Sequence, residues 1–155
     1  MSHLRSILLV EDSPRDAELI LHALGGGNLA NEVVHVLDGA EALDYLHRRG
    51  AFAGRSGDEP ALMLLDLKLP KIDGLEVLQQ IKSDAKLKMI PVVMMTSSRQ
   101  EQDLVRSYEL GVNAYVVKPM QFQDFVEAVR QVQGFWGVLN ELPQQPKRTE
   151  LEDDV

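Results

Sequence analysis

Four apolar runs in this chain each stop on a side chain suited to handling phosphoryl groups. Ile7-Leu8-Leu9-Val10 is followed by Glu11-Asp12, and Leu62-Met63-Leu64-Leu65 by Asp66. Val92-Val93-Met94-Met95 ends on Thr96, and Tyr115-Val116-Val117 on Lys118-Pro119. If the runs are parallel strands, as the helical segments between them suggest, all four endings lie along one edge of one sheet. That carboxyl edge is where open α/β sheets bind ligands. Three carboxylates, a hydroxyl and an ammonium sharing one small site have the chemistry of a phosphorylatable aspartate.

An aspartate directly after a buried strand is exposed while its backbone is held rigidly, and Asp66 alone reads equally as a turn or helix cap. Its company changes the weighting. Glu11 and Asp12 close the first strand, the natural neighbour of the third. Carboxylates about 5 Å apart repel by roughly 3 kcal/mol per pair at an effective dielectric near 20. A hard divalent cation offsets that cost, and Mg²⁺ suits one or two direct carboxylates plus waters and a phosphate. Capping of the first helix accounts for Glu11 or Asp12, but not for both together with Asp66. Lys118 alone reads as a snorkelling side chain, whereas here its ammonium pairs with Asp66 or a phosphoryl oxygen. Thr96, followed by Ser97 and Ser98, reads either as a helix cap or as a hydroxyl donor to a phosphoryl oxygen.

Helices must lie between these strands to make them parallel. Ser13-Pro14 opens the first, with a capping side chain and a proline where the missing N–H costs nothing. Ala17, Ile20, Leu21 and Leu24 recur at helical spacing until Gly25-Gly26-Gly27. Val33 to Leu37 reads as a second strand, and Asp38-Gly39 leads into a helix that stops near Gly50. A glycine-rich loop spans residues 50–60. Asp73-Gly74 opens the next helix, Pro91 starts the fourth strand, and Arg99 to Leu110 is helical. The last helix is expected from about Gln121 towards Leu142, ended by Pro143. The order βαβαβαβαβα, with near-continuous apolar strands, predicts an α/β fold with helices on both sheet faces. Right-handed crossovers then keep the carboxyl ends together.

Composition bounds the function. With 155 residues and 45% apolar content, one domain of ordinary size has core enough to stand unaided. A net charge of −8 argues against a general nucleic-acid or anionic-membrane surface. The absence of cysteine excludes disulfides, thiolate catalysis and cysteine metal sites. No apolar run approaches bilayer-spanning length, and a cytoplasmic location is expected. His3, His22, His35 and His47 stand at no metal-ligand spacing and read as ordinary surface or strand residues.

Residues 4 to about 135 resemble the receiver domain of two-component response regulators, similar to the chemotaxis single-domain regulators. The pieces that carry the resemblance are Glu11-Asp12, Asp66 within Leu-Leu-Asp-Leu-Lys-Leu-Pro, Asp73-Gly74, Thr96-Ser97, Tyr115 and Lys118-Pro119. The resemblance implies a flavodoxin-like, five-stranded parallel sheet in the order 2-1-3-4-5. It implies Asp66 as the phosphoacceptor, fed by a sensor histidine kinase. It also implies Mg²⁺ held by Asp12 and Asp66, by Glu11 through water, and by the backbone carbonyl of Lys68. Thr96 and Lys118 would contact the phosphoryl group, and Lys118–Pro119 would be a cis bond. Tyr115 would swing inward when Thr96 is drawn to the phosphate, its alternative being an ordinary strand aromatic. Lys68 and Ser98 depart from common choices at positions that govern water access, which leaves the lifetime of the acyl phosphate open.

The segment Val129 to Pro143, with Phe135-Trp136 and Leu142-Pro143, is similar to small stand-alone regulators paired with bacterial phytochromes and other sensor kinases. Residues 4–142 are therefore expected to form one receiver domain with an extended C-terminal helix and no DNA-reading domain. Residues 143–155, with four acids and two bases, are expected to form an acidic, disordered tail. In the last helix Phe122, Phe125, Val126, Val129, Val132 and Trp136 form one stripe to cover the sheet. Phe135, Val138 and Leu142 make a second apolar side, which predicts a homodimer through them. Gly134 and Gly137 argue instead for a break in the helix. Two other functions compete. A haloacid-dehalogenase-type phosphohydrolase expects an aspartate two residues after its nucleophile, where this chain has Lys68. A scaffold that is never phosphorylated has no use for Glu11, Asp12, Asp66, Thr96 and Lys118 together.

Overall fold

The computed structural model of the chain describes residues 5–25 and 31–143. Its strands are β1 (Ile7–Val10), β2 (Val33–Val36), β3 (Leu62–Leu65), β4 (Val92–Thr96) and β5 (Ala114–Val117). They alternate with α1 (Pro14–Gly25), α2 (Gly39–His47), α3 (Gly74–Ser83), α4 (Glu101–Glu109) and α5 (Phe122–Val132). Every pairing is parallel, in the order β2-β1-β3-β4-β5, as expected. Gly26 and Gly27 of the expected first stop signal, His3, and residues 144–155 of the expected tail lie outside the described residues.

The strands are apolar on both faces because both faces are covered. Leu8, Val10, Met63, Leu65, Val92 and Met94 pack with Leu43 and Leu46 of α2 and Val77, Leu78 and Ile81 of α3. Their alternates Ile7, Leu9, Leu62, Leu64, Val93 and Met95 pack with Ile20 and Leu24 of α1 and Phe125, Val126 and Val129 of α5. Burying a side chain of this size stabilises by about 1.5–3 kcal/mol. Register then sets the site. Val10 lies opposite both Val36 and Leu65, so Glu11 and Asp66 leave the sheet at one level.

Two glycines clamp the segment after Asp66. Asp38 and Asp73 cap α2 and α3 by accepting the N–H groups of Glu41 and Glu76. A Cβ on Gly39 would lie 2.0 Å from the Ile72 carbonyl oxygen, and one on Gly74 2.2 Å from that of Asp66. Both helices thus start with their backbones against the 66–72 loop, an approach only glycine permits.

The C-terminal segment differs from the expectation. It neither breaks at Gly134 nor keeps its winding, but widens into a π-helical stretch over Gln133–Leu139. Wider winding turns the chain less per residue, so a stripe drawn at α-helical spacing drifts. Phe125, Val126 and Val129 are buried as predicted, and Val132 and Trp136 are half-buried against the same core cluster. Phe122, at the first turn of α5, is exposed instead. The buried residues of the widened stretch are Gln133 and Gly137. Asn31 explains this. Its amide nitrogen donates to the Gly137 and Arg5 carbonyls at 3.0 and 2.8 Å, and its oxygen accepts from Gln133 at 3.3 Å.

Candidate functional site

The carboxyl edge gathers Glu11, Asp12, Asp66 and Lys118 at one point. Carboxylate oxygens of Glu11, Asp12 and Asp66 all lie within 4.8 Å of one another. Lys118 leaves β5 and donates to Glu11 Oε1 at 2.6 Å, Asp16 Oδ2 at 2.8 Å and Asp66 Oδ2 at 3.0 Å. Lys118–Pro119 is trans, since no described residue has a cis peptide bond. This corrects the cis expectation. Trans is the intrinsically favoured isomer of such bonds, and the ammonium reaches its three partners in that form.

Asp16 is the member of this group that the sequence did not announce. It lies in the first turn of α1, where an acid reads as a partner of the helix dipole.

Charge dominates the site. Four carboxylates face a single ammonium, so the cluster lacks positive charge when all are ionised. Burial pushes the Glu11 carboxyl up to about 7, the Lys118 hydrogen bond opposing this and the Asp66 charge adding to it. Burial alone would lower the Lys118 pKa, yet hydrogen bonds to Asp16 and Glu11 and the charge of Asp66 outweigh it and raise it. All-oxygen donors with excess negative charge fit a hard divalent cation.

Removing one charge tests that electrostatic reading. Asp12 is exposed, so Asp12→Ala is expected to stabilise the metal-free protein by about 1 kcal/mol while weakening cation binding. Thermal melts with and without Mg²⁺ check this, and a metal-free variant less stable than wild type would contradict it.

Thr96 is fully buried at the end of β4, and its hydroxyl oxygen accepts the Ser98 N–H at 3.3 Å. Tyr115 is half-buried against the core, and its hydroxyl donates to the Ser98 carbonyl at 3.1 Å. Burial pushes the Tyr115 phenol up, the nearby Ser98 side chain opposing and the Asp103 and Asp66 charges adding. Ser98 Oγ donates to Asp103 of α4 at 2.5 Å, a link with no signal in the sequence. Lys68 points to solvent, while its N–H lies 3.4 Å from Asp66 Oδ1. His35 bonds the Glu11 carbonyl at 2.9 Å through its ring. Phe135 is exposed, whereas Val138 and Leu142 are half-buried.

Known proteins are similar to this chain in sequence and fold. The family profile of the response regulator receiver domain matches residues 7–130. Response regulator Rcp1 of Synechocystis sp. is 42% identical over 130 residues, covering 84% of this chain and 87% of the relative. A crystal structure of Rcp1 in its Mn²⁺-bound form superposes with a TM-score of 0.84 at 40% identity, over 90% of this chain and 99% of that one. The phosphorylated cyanobacterial phytochrome response regulator RcpA gives 0.86 at 44% identity, over 92% and 100%. The bacteriophytochrome response regulator AtBRR gives 0.73 at 62% identity, over 90% and 100%. Strand order, the acidic cluster and the extent of these matches agree, and the chain belongs to the response regulator receiver domain family.

Proposed function

We propose that this receiver accepts a phosphoryl group on Asp66 from a sensor histidine kinase of the phytochrome type, in the cytoplasm, and passes the signal on by a change of surface. The observation that carries this reading is the Lys118 ammonium held 3.0 Å from an Asp66 oxygen, within a three-carboxylate cluster. Asp12 and Asp66 would hold Mg²⁺ directly, Glu11 through water, with the Lys68 backbone carbonyl. The cation would neutralise charge on the phosphoryl oxygens.

The chain's own residues supply the rest. An Asp66 oxygen attacks the phosphorus of a phosphohistidine, the P–N bond breaks, and the imidazole leaves with the electron pair. Lys118 stays protonated and turns an N–H toward the phosphoryl oxygens. Thr96 exchanges its Ser98 contact for the phosphoryl group, and Tyr115 follows into the space released. The two states differ in the β4–α4 and β5 surface, a population shift read by a protein target or a further relay partner. Relatives named for phytochromes support a light-sensing kinase as donor. The hydrolase alternative lacks its acid at position 68.

Mixing the protein with a phytochrome kinase and ATP tests the reading. One phosphoryl group per chain is expected by intact-mass spectrometry, in amounts that change between red and far-red light and vanish on chelation. Label from a small phosphodonor without any from the kinase would remove the partner but keep the acceptor.

The reading includes a homodimer through Phe135, Val138 and Leu142. Support comes from Phe135 and Leu139, 50% and 71% exposed on the widened segment, since apolar side chains clustered at a surface mark contacts. Truncation there would strip Asn31 of its partners, so Phe135→Glu with Leu139→Glu is the cleaner probe. Light scattering across a dilution series should give a dimer for wild type and a monomer for the double variant. A wild-type monomer, phosphorylated or not, would end this part of the proposal.

A further inference from the structure

A lysine ammonium has three N–H donors, and each N–H of Lys118 has its own carboxylate: Glu11, Asp16 and Asp66. Glu11 and Asp66 also belong to the cluster that fits a cation, whereas Asp16 does not. Asp16 is therefore the one partner of Lys118 that neither a cation nor the phosphoryl group competes for.

Local structure explains why Asp16 is available. Ser13 precedes α1 and its hydroxyl accepts the Asp16 N–H at 3.3 Å. An acid at the third helical position ordinarily reaches back to the N–H of the capping residue. Here that N–H is taken by Glu11 Oε2 at 3.2 Å. Asp16 is free of the capping role and turns its carboxylate to Lys118.

We propose that Asp16 is a positioning residue for Lys118: it anchors the ammonium beside Asp66 while Glu11 and Asp66 engage the cation and the incoming phosphoryl group. The inference rests on Asp66 being the acceptor. A lysine is a point charge on a flexible stem. Once Glu11 and Asp66 turn to other partners, an unanchored ammonium follows them or moves to water. With one N–H held by Asp16, the nitrogen stays in place and the other two donors remain directed at the acceptor. In the reaction with acetyl phosphate, an Asp66 oxygen bonds to phosphorus as the bond to the acetate oxygen breaks. Acetate leaves with the electron pair, and Lys118 keeps its proton throughout.

The test is the initial rate of phosphorylation by acetyl phosphate at saturating Mg²⁺, read by intact mass. Misplacement of a group near the reacting atoms is costly, so Asp16→Ala is expected to slow the reaction about tenfold. Asp16→Asn keeps an acceptor oxygen for the ammonium in a weaker, neutral hydrogen bond, and should stay within about threefold of wild type. In a Lys118→Met background, Asp16→Ala should change nothing further, because residues that act as a unit are non-additive. An Asp16→Ala rate equal to wild type overturns the proposal, as does an Asp16→Asn protein as slow as Asp16→Ala. Equal slowing with and without Lys118 also overturns it. A wild type that takes no label removes the acceptor assignment instead.

Discussion

Asp66→Asn should leave the protein folded and unable to take a phosphoryl group from any donor. The side chain sits where β3 ends, its backbone N–H bonded to the Val10 carbonyl at 3.2 Å, so the position itself does not depend on the carboxylate. An amide keeps an oxygen for the Lys118 ammonium but gives up the nucleophilic anion. It also removes one of four negative charges facing a single positive one. Metal-free Asp66→Asn is therefore expected to melt higher than wild type, by an amount on the order of 1–2 kcal/mol. Intact-mass spectrometry after incubation with acetyl phosphate and Mg²⁺ should show no added phosphoryl group. Residual label at the wild-type rate would place the acceptor elsewhere, and a lower melting point would contradict the picture of a site short of positive charge.

Gly74→Ala should be among the most damaging single methyl groups in the described residues. The added Cβ would meet the Asp66 carbonyl oxygen at 2.2 Å and the Leu67 Cα at 2.8 Å, both backbone atoms that cannot swing away. Overpacking of this kind costs about 1–3 kcal/mol, and more where backbone must move. The displaced segment carries Asp66, so labelling should fall together with stability. Gly134→Ala is the control. Nothing lies within 4 Å of its added Cβ, and in a helix alanine is favoured over glycine by up to about 1 kcal/mol. Chemical denaturation should move the two midpoints in opposite directions. A Gly74→Ala protein as stable and as readily labelled as wild type would show that the loop after Asp66 is not clamped.

Much of this was legible because strand ends and helix starts are written locally. The four apolar runs fix β1, β3, β4 and β5, and Asp38-Gly39 and Asp73-Gly74 announce α2 and α3 by their caps. Parallel pairing then leaves Glu11, Asp12, Asp66 and Lys118 no other place than one edge. What escaped depends on approach between distant segments. Asp16 has a local explanation as a first-turn acid, and its contact with a lysine 102 residues away has no trace in spacing. The bond from Ser98 to Asp103 is local, only five residues apart, but it escaped because a serine before a helix reads as a cap. Nothing in the sequence marks Gln133 for burial, and it is buried where Asn31 offers it an acceptor. The widened winding at Gln133 follows from that docking, which a fixed helical spacing cannot anticipate.

The Asn31 clasp has a consequence for the order of folding. One side chain fastens backbone 26 residues before it and 106 residues after it. Contacts that close so long a stretch of chain bring little reward until the sheet between them exists, so they form late. The segment Gln133–Leu139 is thus expected to settle late onto the sheet. By the same token it should open at a lower free energy than the central strands. Amide exchange in the widened segment should accordingly run ahead of exchange in β1 and β3, and the native state carries a detachable end on a core that outlasts it.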